Sequence, residues 1–339
     1  MGMFLNSIEP YDKYKTITKG LYFVDKTELL EELIPALEQE QRFFCITRPR
    51  RFGKTVMANM IASFFEKSEG GSDIFDRLKI SEYPKYKEHL NKHDVVYIDF
   101  SEMPRGCRNY QEYILRIQDG LIRDIEEAYP ELEIKSDAAV WDILSHVFDK
   151  TGDKFVFVMD EWDAVFHMSF ITERDRENFL LFLKLLLKGK SYVELAYMTG
   201  VLPIAKYSDG SELNMFLEYN MATRVRFSEY FGFSDEEVDV LYDRYLKNTK
   251  KPQITRESLR EWYDGYHTAS GERLYNPRSV VCALTDNQLS NYWVSSGKYD
   301  SVFTYIRYNV DQIQNIFYPI RYDQDCMILE LKVDHKPEE

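Results

Sequence analysis

The sequence has few of the residues that build disulfide frameworks or zinc sites. Its four cysteines are Cys45, Cys107, Cys282 and Cys326, which lie far apart and form no C-x-x-C pair. The six histidines do not cluster with them. A protein held together by disulfides or zinc needs such residues at short spacings. We therefore expect neither framework, and this use of cysteine is typical of a reducing compartment.

Long apolar runs and a secretory leader are also missing. No run is long enough to span a bilayer, and residues 1–14 lack the basic and apolar regions of a signal peptide. The formal net charge is −14, from 43 basic and 57 acidic residues. Such a chain repels nucleic acid and anionic membranes overall, although a local basic patch would still bind them. We expect a cytoplasmic protein with no membrane partner, and nucleic acid is an unfavoured partner that composition alone does not exclude.

The chain is long enough, at 339 residues, for one large domain with an appendage or for two domains. Short runs rich in β-branched and aromatic residues predict buried strands, and helical patterns lie between them. This alternation predicts an α/β fold with a mostly parallel five-stranded sheet. The predicted strands are Phe43–Thr47, Val95–Phe100, Phe155–Met159, Val193–Thr199 and Thr223–Phe227.

Helix caps and turns organise the rest of the chain. Asp25 with Glu28 predicts a capped N-terminal helix, and Ser234 with Glu237 repeats that spacing. A hairpin is expected around residues 270–271, with a helix opening at Pro277. The strings "WYDGY" and "YNP" are interpreted as packing and turn residues of this region. The predicted division is an N-terminal segment 1–40, a core 41–230, a smaller mainly helical lid 231–310 and a tail 311–339.

The segment "RPRRFGKT" ends like a phosphate-binding loop, G-x-x-x-x-G-K-[ST], but carries Arg48 where the first glycine belongs. A strand, a short loop and a helix opening at the lysine would supply backbone N–H groups and an ammonium to a triphosphate. Thr55 would offer its hydroxyl to magnesium. A plain turn into a helix is the alternative. The residues predicted to bind the nucleotide are Arg50, Arg51, Phe52, Gly53, Lys54, Thr55 and Val56.

The missing glycine has a local consequence. Arg48 precedes Pro49, which favours extended geometry and excludes a left-handed turn at position 48. We hypothesise that Arg50 or Arg51 replaces the lost backbone donors, because guanidinium groups bind phosphate oxygens well. Pairing of these arginines with acidic residues of the fold is the alternative.

A second apolar strand ends in an acidic pair, in "KFVFVMDEWD". Asp160 would hold the magnesium through water, and Glu161 would orient or deprotonate the attacking water. The extra strand "VVYIDF" between lysine and acidic pair is the arrangement of NTPases with a catalytic glutamate. Thr199, at the tip of the next strand, would sense the γ-phosphate or position the water. The alternatives are a solvated helix start for the acidic pair and a plain strand-end hydroxyl for Thr199.

Several uncommon strings occur in one order: "VDKT", "RPRRFGKT", "FVFVMDEWD", "WYDGY" and "YNPRSV". Together they resemble the predicted AAA-ATPase-like family of bacterial proteins, over nearly all of residues 8–310. The family's own loop carries Arg-Pro-Arg-Arg-Phe, so the missing first glycine is a family trait. Trp162 stands where the family often has tyrosine. The resemblance implies a P-loop ATPase with ATP and Mg²⁺ as cofactors.

Members of that family usually continue into a nuclease-like domain of the PD-(D/E)xK type. Asp325 (or Asp323), Glu330 and Lys332 match its metal-binding pattern. Only seven residues, 333–339, follow, which is too little to complete such a fold. We interpret the tail as a strand-like remnant and expect no cleavage activity.

An ATP-hydrolysing switch is the function expected first, with Glu161, Lys54 and Thr199 as catalytic residues. A non-hydrolysing interaction module and a nucleic-acid enzyme are the alternatives. No arginine finger is evident, and Lys206, Arg224 and Arg226 follow the fourth strand, where one could sit. Beyond a nucleotide, a second copy of the chain or another protein is left open as a partner.

Overall fold

The computed structural model describes residues 2–67, 74–134, 138–207, 212–221, 224–268 and 270–292. The chain divides into two compact units, Met1–Asn220 and Met221–Glu339. Within the described ranges, no helix combines the length and apolarity needed to cross a bilayer. The finer four-part division of the chain stays a prediction.

The first unit alternates helices with strands, as the sequence predicts. Short 3-10 helices complete the connections, among them Ile34–Glu38, Trp162–His167 and Ile204–Lys206. The helices are α1 (Ile8–Thr18), α2 (Leu29–Leu33), α3 (Lys54–Phe65), α4 (Tyr86–His89), α5 (Tyr110–Ala128), α6 (Val140–Thr151) and α7 (Glu173–Leu187). The strands are β1 (Phe43–Thr47), β2 (Asp94–Asp99), β3 (Phe155–Asp160), β4 (Val193–Gly200) and β5 (Leu217–Asn220).

The five strands form one parallel sheet in the order β2-β3-β4-β1-β5. The α/β prediction is therefore confirmed. β4 lies between β1 and β3, so the strand before the loop at residues 48–53 and the strand before the acidic pair flank the same neighbour. Because all strands are parallel, their carboxyl ends meet at one edge of the sheet, where ligands of open α/β sheets bind.

The two faces of the sheet are covered by different helices. Phe155, Phe157 and Met159 pack into an apolar cluster with residues of α5, α6 and α7. Val158 and Asp160 alternate with them and so point to the opposite face. α3 packs against β2, β3 and β4, and α1 packs against α3. Helix α3 therefore covers the face on which Asp160 lies.

The prediction of the fifth strand is wrong in position. Thr223 lies outside the described residues, residues 224–227 are not extended in a sheet, and Phe227 has φ 69°. The fifth strand is Leu217–Asn220, paired with β1. An edge strand is covered on one side only, so it lacks the continuous apolar run that marks the central strands. The alternating "TRVRF" imitates a strand better than the true edge strand "LEYN" does.

The predicted capping of an N-terminal helix by Asp25 is also wrong. Helix α2 begins at Leu29 and has no side-chain cap. Asp25 Oδ1 instead accepts hydrogen bonds from the backbone N–H and hydroxyl of Thr27, and Oδ2 accepts from Lys79 N at 2.7 Å. The carboxylate stabilises a turn and ties it to a neighbouring loop, which sequence spacing cannot distinguish from a cap.

The second unit contains helices α8 (Asp235–Asn248), α9 (Arg256–Tyr263) and α10 (Pro277–Asp286) and the hairpin β6–β7 (Asp264–His267 with Arg273–Tyr275). The capping box of Ser234 and Glu237 and the helix start at Pro277 are present, as predicted. Arg256 donates to Tyr275 Oη at 2.9 Å and to Asp235 Oδ1 at 2.7 Å. Tyr275 of "YNP" is thus a buried packing residue.

Glu66, directly after α3, gives the first unit a pH-dependent stability. Its side chain is buried, and burial raises the pKa of its carboxyl to about 8. The folded state then binds a proton that the unfolded state has released, so stability falls as pH rises from about 4.5 to about 8. We expect the isosteric Glu66→Gln variant to match the wild type near pH 4 and to be more stable at pH 8 and above, by chemical denaturation. Equal stability of the variant and the wild type at pH 4 and also at pH 8 would contradict this prediction.

Candidate functional site

The loop between β1 and α3 leaves the sheet at its carboxyl edge. Arg48 N donates to Gly200 O at 3.1 Å, which keeps the start of the loop beside the tip of β4. Arg48 is not left-handed, as Pro49 predicts; the left-handed residues are Arg51 (φ 69°) and Gly53 (φ 87°). The sharp turn that the first glycine usually makes is therefore moved towards the helix.

Arg48 has a buried guanidinium group that belongs to the fold. Its Nη1 donates to Thr47 O at 2.8 Å and to Tyr219 O at 2.7 Å. These bonds join the end of β1 to edge strand β5. The Arg48 side chain is therefore committed to the fold, whereas Arg50 is exposed and Arg51 is partly exposed.

The left-handed conformation of Arg51 costs about 1–2 kcal/mol in backbone strain. We expect Arg51→Gly to raise the free energy of unfolding by about 1 kcal/mol. The same variant should bind ATP more weakly if the Arg51 guanidinium contacts phosphate. Denaturation and ATP titration measure the two effects separately. Unchanged ATP affinity in Arg51→Gly would leave Arg50 as the replacement donor.

Lys54 is buried at the start of α3, and its ammonium folds over the loop. Nζ donates to Arg48 O at 3.0 Å and to Pro49 O at 3.1 Å. Burial lowers the pKa of Lys54, and the negative charges of Asp160 and Glu161 oppose this. The structure therefore brings the lysine and the acidic pair into one electrostatic neighbourhood.

Asp160 ends β3 and is fully buried. The hydroxyl of Thr199 donates to Asp160 Oδ1, and Glu161 N approaches that same hydroxyl at 3.4 Å. Burial raises the pKa of Asp160, and hydrogen bonds from Thr199 and Thr55 oppose the rise. The structure thus unites the two predicted metal ligands with the predicted γ-phosphate sensor.

Glu161 follows in a left-handed conformation, with φ 47° and ψ 45°. Non-glycine residues rarely adopt it, and such strain persists only where surrounding packing imposes it. Burial, followed by the charge of Asp160, raises the pKa of the Glu161 carboxyl. A partly buried carboxylate with a raised pKa is a better proton acceptor than a solvated one.

The other predicted nucleotide contacts lie along the loop. Phe52 is fully buried, so its ring belongs to the core and only its backbone is offered to a ligand. Gly53 and Val56 are partly exposed at the start of α3. The positive charge of Arg50 lowers the pKa of Lys54, which places Arg50 in the same neighbourhood.

Sequence reasoning missed two acidic residues of the site. Asp99 ends β2 and pairs in register with Asp160, and its charge raises the pKa of both Asp160 and Glu161. Asp163 is buried, and its Oδ2 accepts from Val201 N at 3.0 Å and from Leu202 N at 2.9 Å. The signal for Asp99 was visible, because "VVYIDF" carries an aspartate at its carboxyl end as "FVFVMD" does.

Magnesium fits the residues present. Asp160 Oδ2 is a buried oxygen with no hydrogen-bond partner among the described residues, and the Thr55 hydroxyl lies next to the same carboxylate. The described part of the chain contains no group of three or more His, Cys, Asp or Glu side chains that could hold a metal by themselves. Mg²⁺ usually binds one or two carboxylates together with substrate phosphates and water. Thr55 and Asp160 would hold it in this way.

The profile of the family described as "Predicted AAA-ATPase" matches residues 8–208. The chain belongs to this family. The match covers the loop, the acidic pair and Thr199, so the resemblance is confirmed over residues 8–208 of this AAA-ATPase-like chain, while β5 lies beyond the match. The predicted nuclease-like residues Asp325, Glu330 and Lys332 lie outside the described residues, and that remnant stays a prediction.

A curated relative from Azotobacter chroococcum mcd 1, "Uncharacterized protein in vnfD 5'region", is 25% identical over 281 residues. The alignment covers 81% of this AAA-ATPase-like chain and 51% of the relative, so the chain spans about half the relative's length.

Two solved structures from Aeropyrum pernix also align with the AAA-ATPase-like chain. The ORC2 protein in ADPNP–ADP complexes gives a TM-score of 0.37 at 12% identity, covering 90% of this chain and 70% of that one. The ORC1 protein in complex with DNA gives 0.40 at 11% identity, covering 86% and 67%.

Proposed function

We propose that the chain binds ATP with Mg²⁺ and hydrolyses the β–γ phosphate bond, and that this reaction drives a conformational switch. The observation that supports the proposal is that Lys54, Asp160 and Glu161 lie at the carboxyl edge of one parallel sheet, where the two carboxylates oppose the lowering of the Lys54 pKa by burial. A cationic loop at a helix start opposite a carboxylate pair is the arrangement that triphosphate hydrolysis requires.

Each residue has a defined task in this reaction. Lys54 exchanges the carbonyls of Arg48 and Pro49 for the terminal phosphates. Glu161 orients a water molecule and takes its proton as the water oxygen bonds to the γ-phosphorus and the bond to ADP breaks. Thr199, already bonded to Asp160, holds that carboxylate in place. Bound Mg²⁺ would neutralise charge on the phosphate oxygens.

Arg50 and Arg51 would supply donors that the missing glycine no longer provides. Both follow Pro49, and the left-handed turn at Arg51 redirects the chain just before Gly53 and Lys54. Their guanidinium groups are suited to phosphate oxygens. We place this reaction in the cytoplasm, with a second copy of the chain or another protein as a further partner.

Equilibrium titration with a fluorescent ATP analogue and Mg²⁺ tests the proposal. We expect Lys54→Ala to weaken ATP binding about ten- to a hundredfold, because it removes a charge-assisted contact worth about 1.5–3 kcal/mol. Lys92→Ala, which changes an exposed lysine, is the control. Equal affinity in the wild type and Lys54→Ala would sink the phosphate-loop assignment.

Phosphate release by the wild-type protein distinguishes hydrolysis from structural binding of the nucleotide. Release of phosphate from bound ATP supports the ATPase. Tight ATP binding with no phosphate release would instead identify a non-hydrolysing interaction module.

A further inference from the structure

One buried layer of the first unit contains four polar atoms without a hydrogen-bond partner among the described residues. They are Asp160 Oδ2, the hydroxyl groups of Tyr97 and Tyr197, and the amide oxygen of Asn59. None of these residues is more than 7% exposed. Since buried polar atoms almost always have a partner, this set requires an explanation.

The strand register places three of the four residues together. Tyr97 on β2 pairs with Val158 on β3, and Val158 pairs with Tyr197 on β4. Paired residues of parallel strands point to the same face, and side chains two positions apart along a strand share a face. Both tyrosines therefore point to the same face as Asp160. They lie at the level of Val158, two residues before Asp160 along β3.

Helix α3 brings the fourth residue to the same layer. The Thr55 hydroxyl bonds to Asp160, and Asn59 follows Thr55 by one helical turn, a rise of roughly 6 Å. The step from Asp160 back to Val158 along β3 is roughly 6.6 Å. Since α3 packs on β2, β3 and β4, these two similar steps put Asn59 at about the level of Val158 and the two tyrosines.

The chemistry of the layer is complementary. Burial, followed by the charge of Asp160, raises the pKa of both Tyr97 and Tyr197, so both hydroxyls keep their protons and remain donors. Asp160 Oδ2 and the Asn59 amide oxygen are acceptors. No direct bond joins these donors to these acceptors, and a water molecule is the small group that accepts from one and donates to the other.

We propose that Tyr97 and Tyr197 are positioning residues for Asp160, and that their hydroxyls hold Oδ2 in one orientation through internal water shared with Asn59. The inference that this fixed orientation favours magnesium binding rests on the proposed function. The hydrogen-bonded link between the tyrosines and Asp160 does not.

Nuclear magnetic resonance of protein labelled at the tyrosine ring carbon that bears the hydroxyl tests the link without nucleotide or metal. Tyr97→Phe and Tyr197→Phe identify the two signals, and the comparison is made between wild type and Asp160→Asn. We expect both signals to move, because the ring carbon reports the hydrogen bond of its hydroxyl. The Tyr113 signal is the control and should not move, since Tyr113 donates to Phe100 O at 2.8 Å. Two unmoved signals would overturn the proposal.

Metal affinity tests the positioning role. With Mn²⁺ as the probe and ATP saturating, Tyr97→Phe and Tyr197→Phe should weaken Mn²⁺ binding about 3- to 10-fold each, the effect of one lost hydrogen bond. Metal-free ATP affinity should stay unchanged, and Tyr113→Phe should leave Mn²⁺ affinity unchanged. If Tyr97→Phe and Tyr197→Phe change the unfolding midpoint but leave Mn²⁺ affinity unchanged, the two hydroxyls contribute only to stability and the positioning role is wrong. If the wild type binds no ATP, the proposed function fails, and the resonance experiment still decides the link.

Discussion

In the Glu161→Gln variant we expect ATP turnover to fall about a hundred- to ten-thousandfold. The amide keeps the shape of the side chain but cannot accept a proton from the attacking water. Glu161 has a left-handed backbone directly after β3, and its N–H donates to the Thr199 hydroxyl, which in turn donates to Asp160. Because Glu161 acts on the water and not on the phosphates, ATP affinity should change by only a few-fold.

Single-turnover release of phosphate from bound ATP measures this effect, and the ATP titration measures affinity in parallel. Glu102→Gln is the matched control, since Glu102 is an exposed carboxylate that follows β2 at the same edge of the sheet. Full turnover in Glu161→Gln would remove Glu161 as the proton acceptor. Asp99, the neighbouring carboxylate in register with Asp160, would then be the next candidate.

The Gly200→Ala variant should lose about 3 kcal/mol of unfolding free energy, a more than hundredfold change in the unfolding equilibrium. A methyl group at Gly200 would lie 2.5 Å from Trp162 Nε1 and 2.9 Å from Asp163 Oδ1. Trp162 is fully buried and packs edge-on against Phe166, so its ring has no room to retreat. The strain must pass to the backbone on either side.

The same substitution should lower ATP turnover, because Trp162 directly follows Glu161. A displacement on the order of 1 Å at a catalytic group costs roughly a hundredfold in rate. Denaturation and phosphate release measure the two effects. Gly265→Ala is the control, because a methyl group there would meet no atom within 4 Å. Wild-type stability in Gly200→Ala would show that Trp162 and Asp163 move freely.

Local pattern was enough to predict the central strands and the residues at their tips. β1 and β3 are continuous apolar runs because both faces of these strands are covered. A continuous apolar run can be recognised from the sequence alone. Asp160 is the last residue of β3, and Lys54 and Thr55 lie just past the short loop that follows β1, so their placement at one edge follows from parallel pairing. Edge strand β5 and the turn at Asp25 were mispredicted for the converse reason, since a half-covered strand and a side-chain-stabilised turn resemble other local patterns.

The amino-acid sequence by itself determined the α/β class, the loop that lacks its first glycine, and the acidic pair, because each depends on neighbours along the chain. Only the tertiary structure decided that Arg48 joins β1 to β5 and that Asp99 stands beside Asp160. It alone also placed two buried tyrosines on either side of Val158, on the face of Asp160. These relations depend on strand order and register, which bring together residues far apart in the chain. No periodicity along the sequence carries that information.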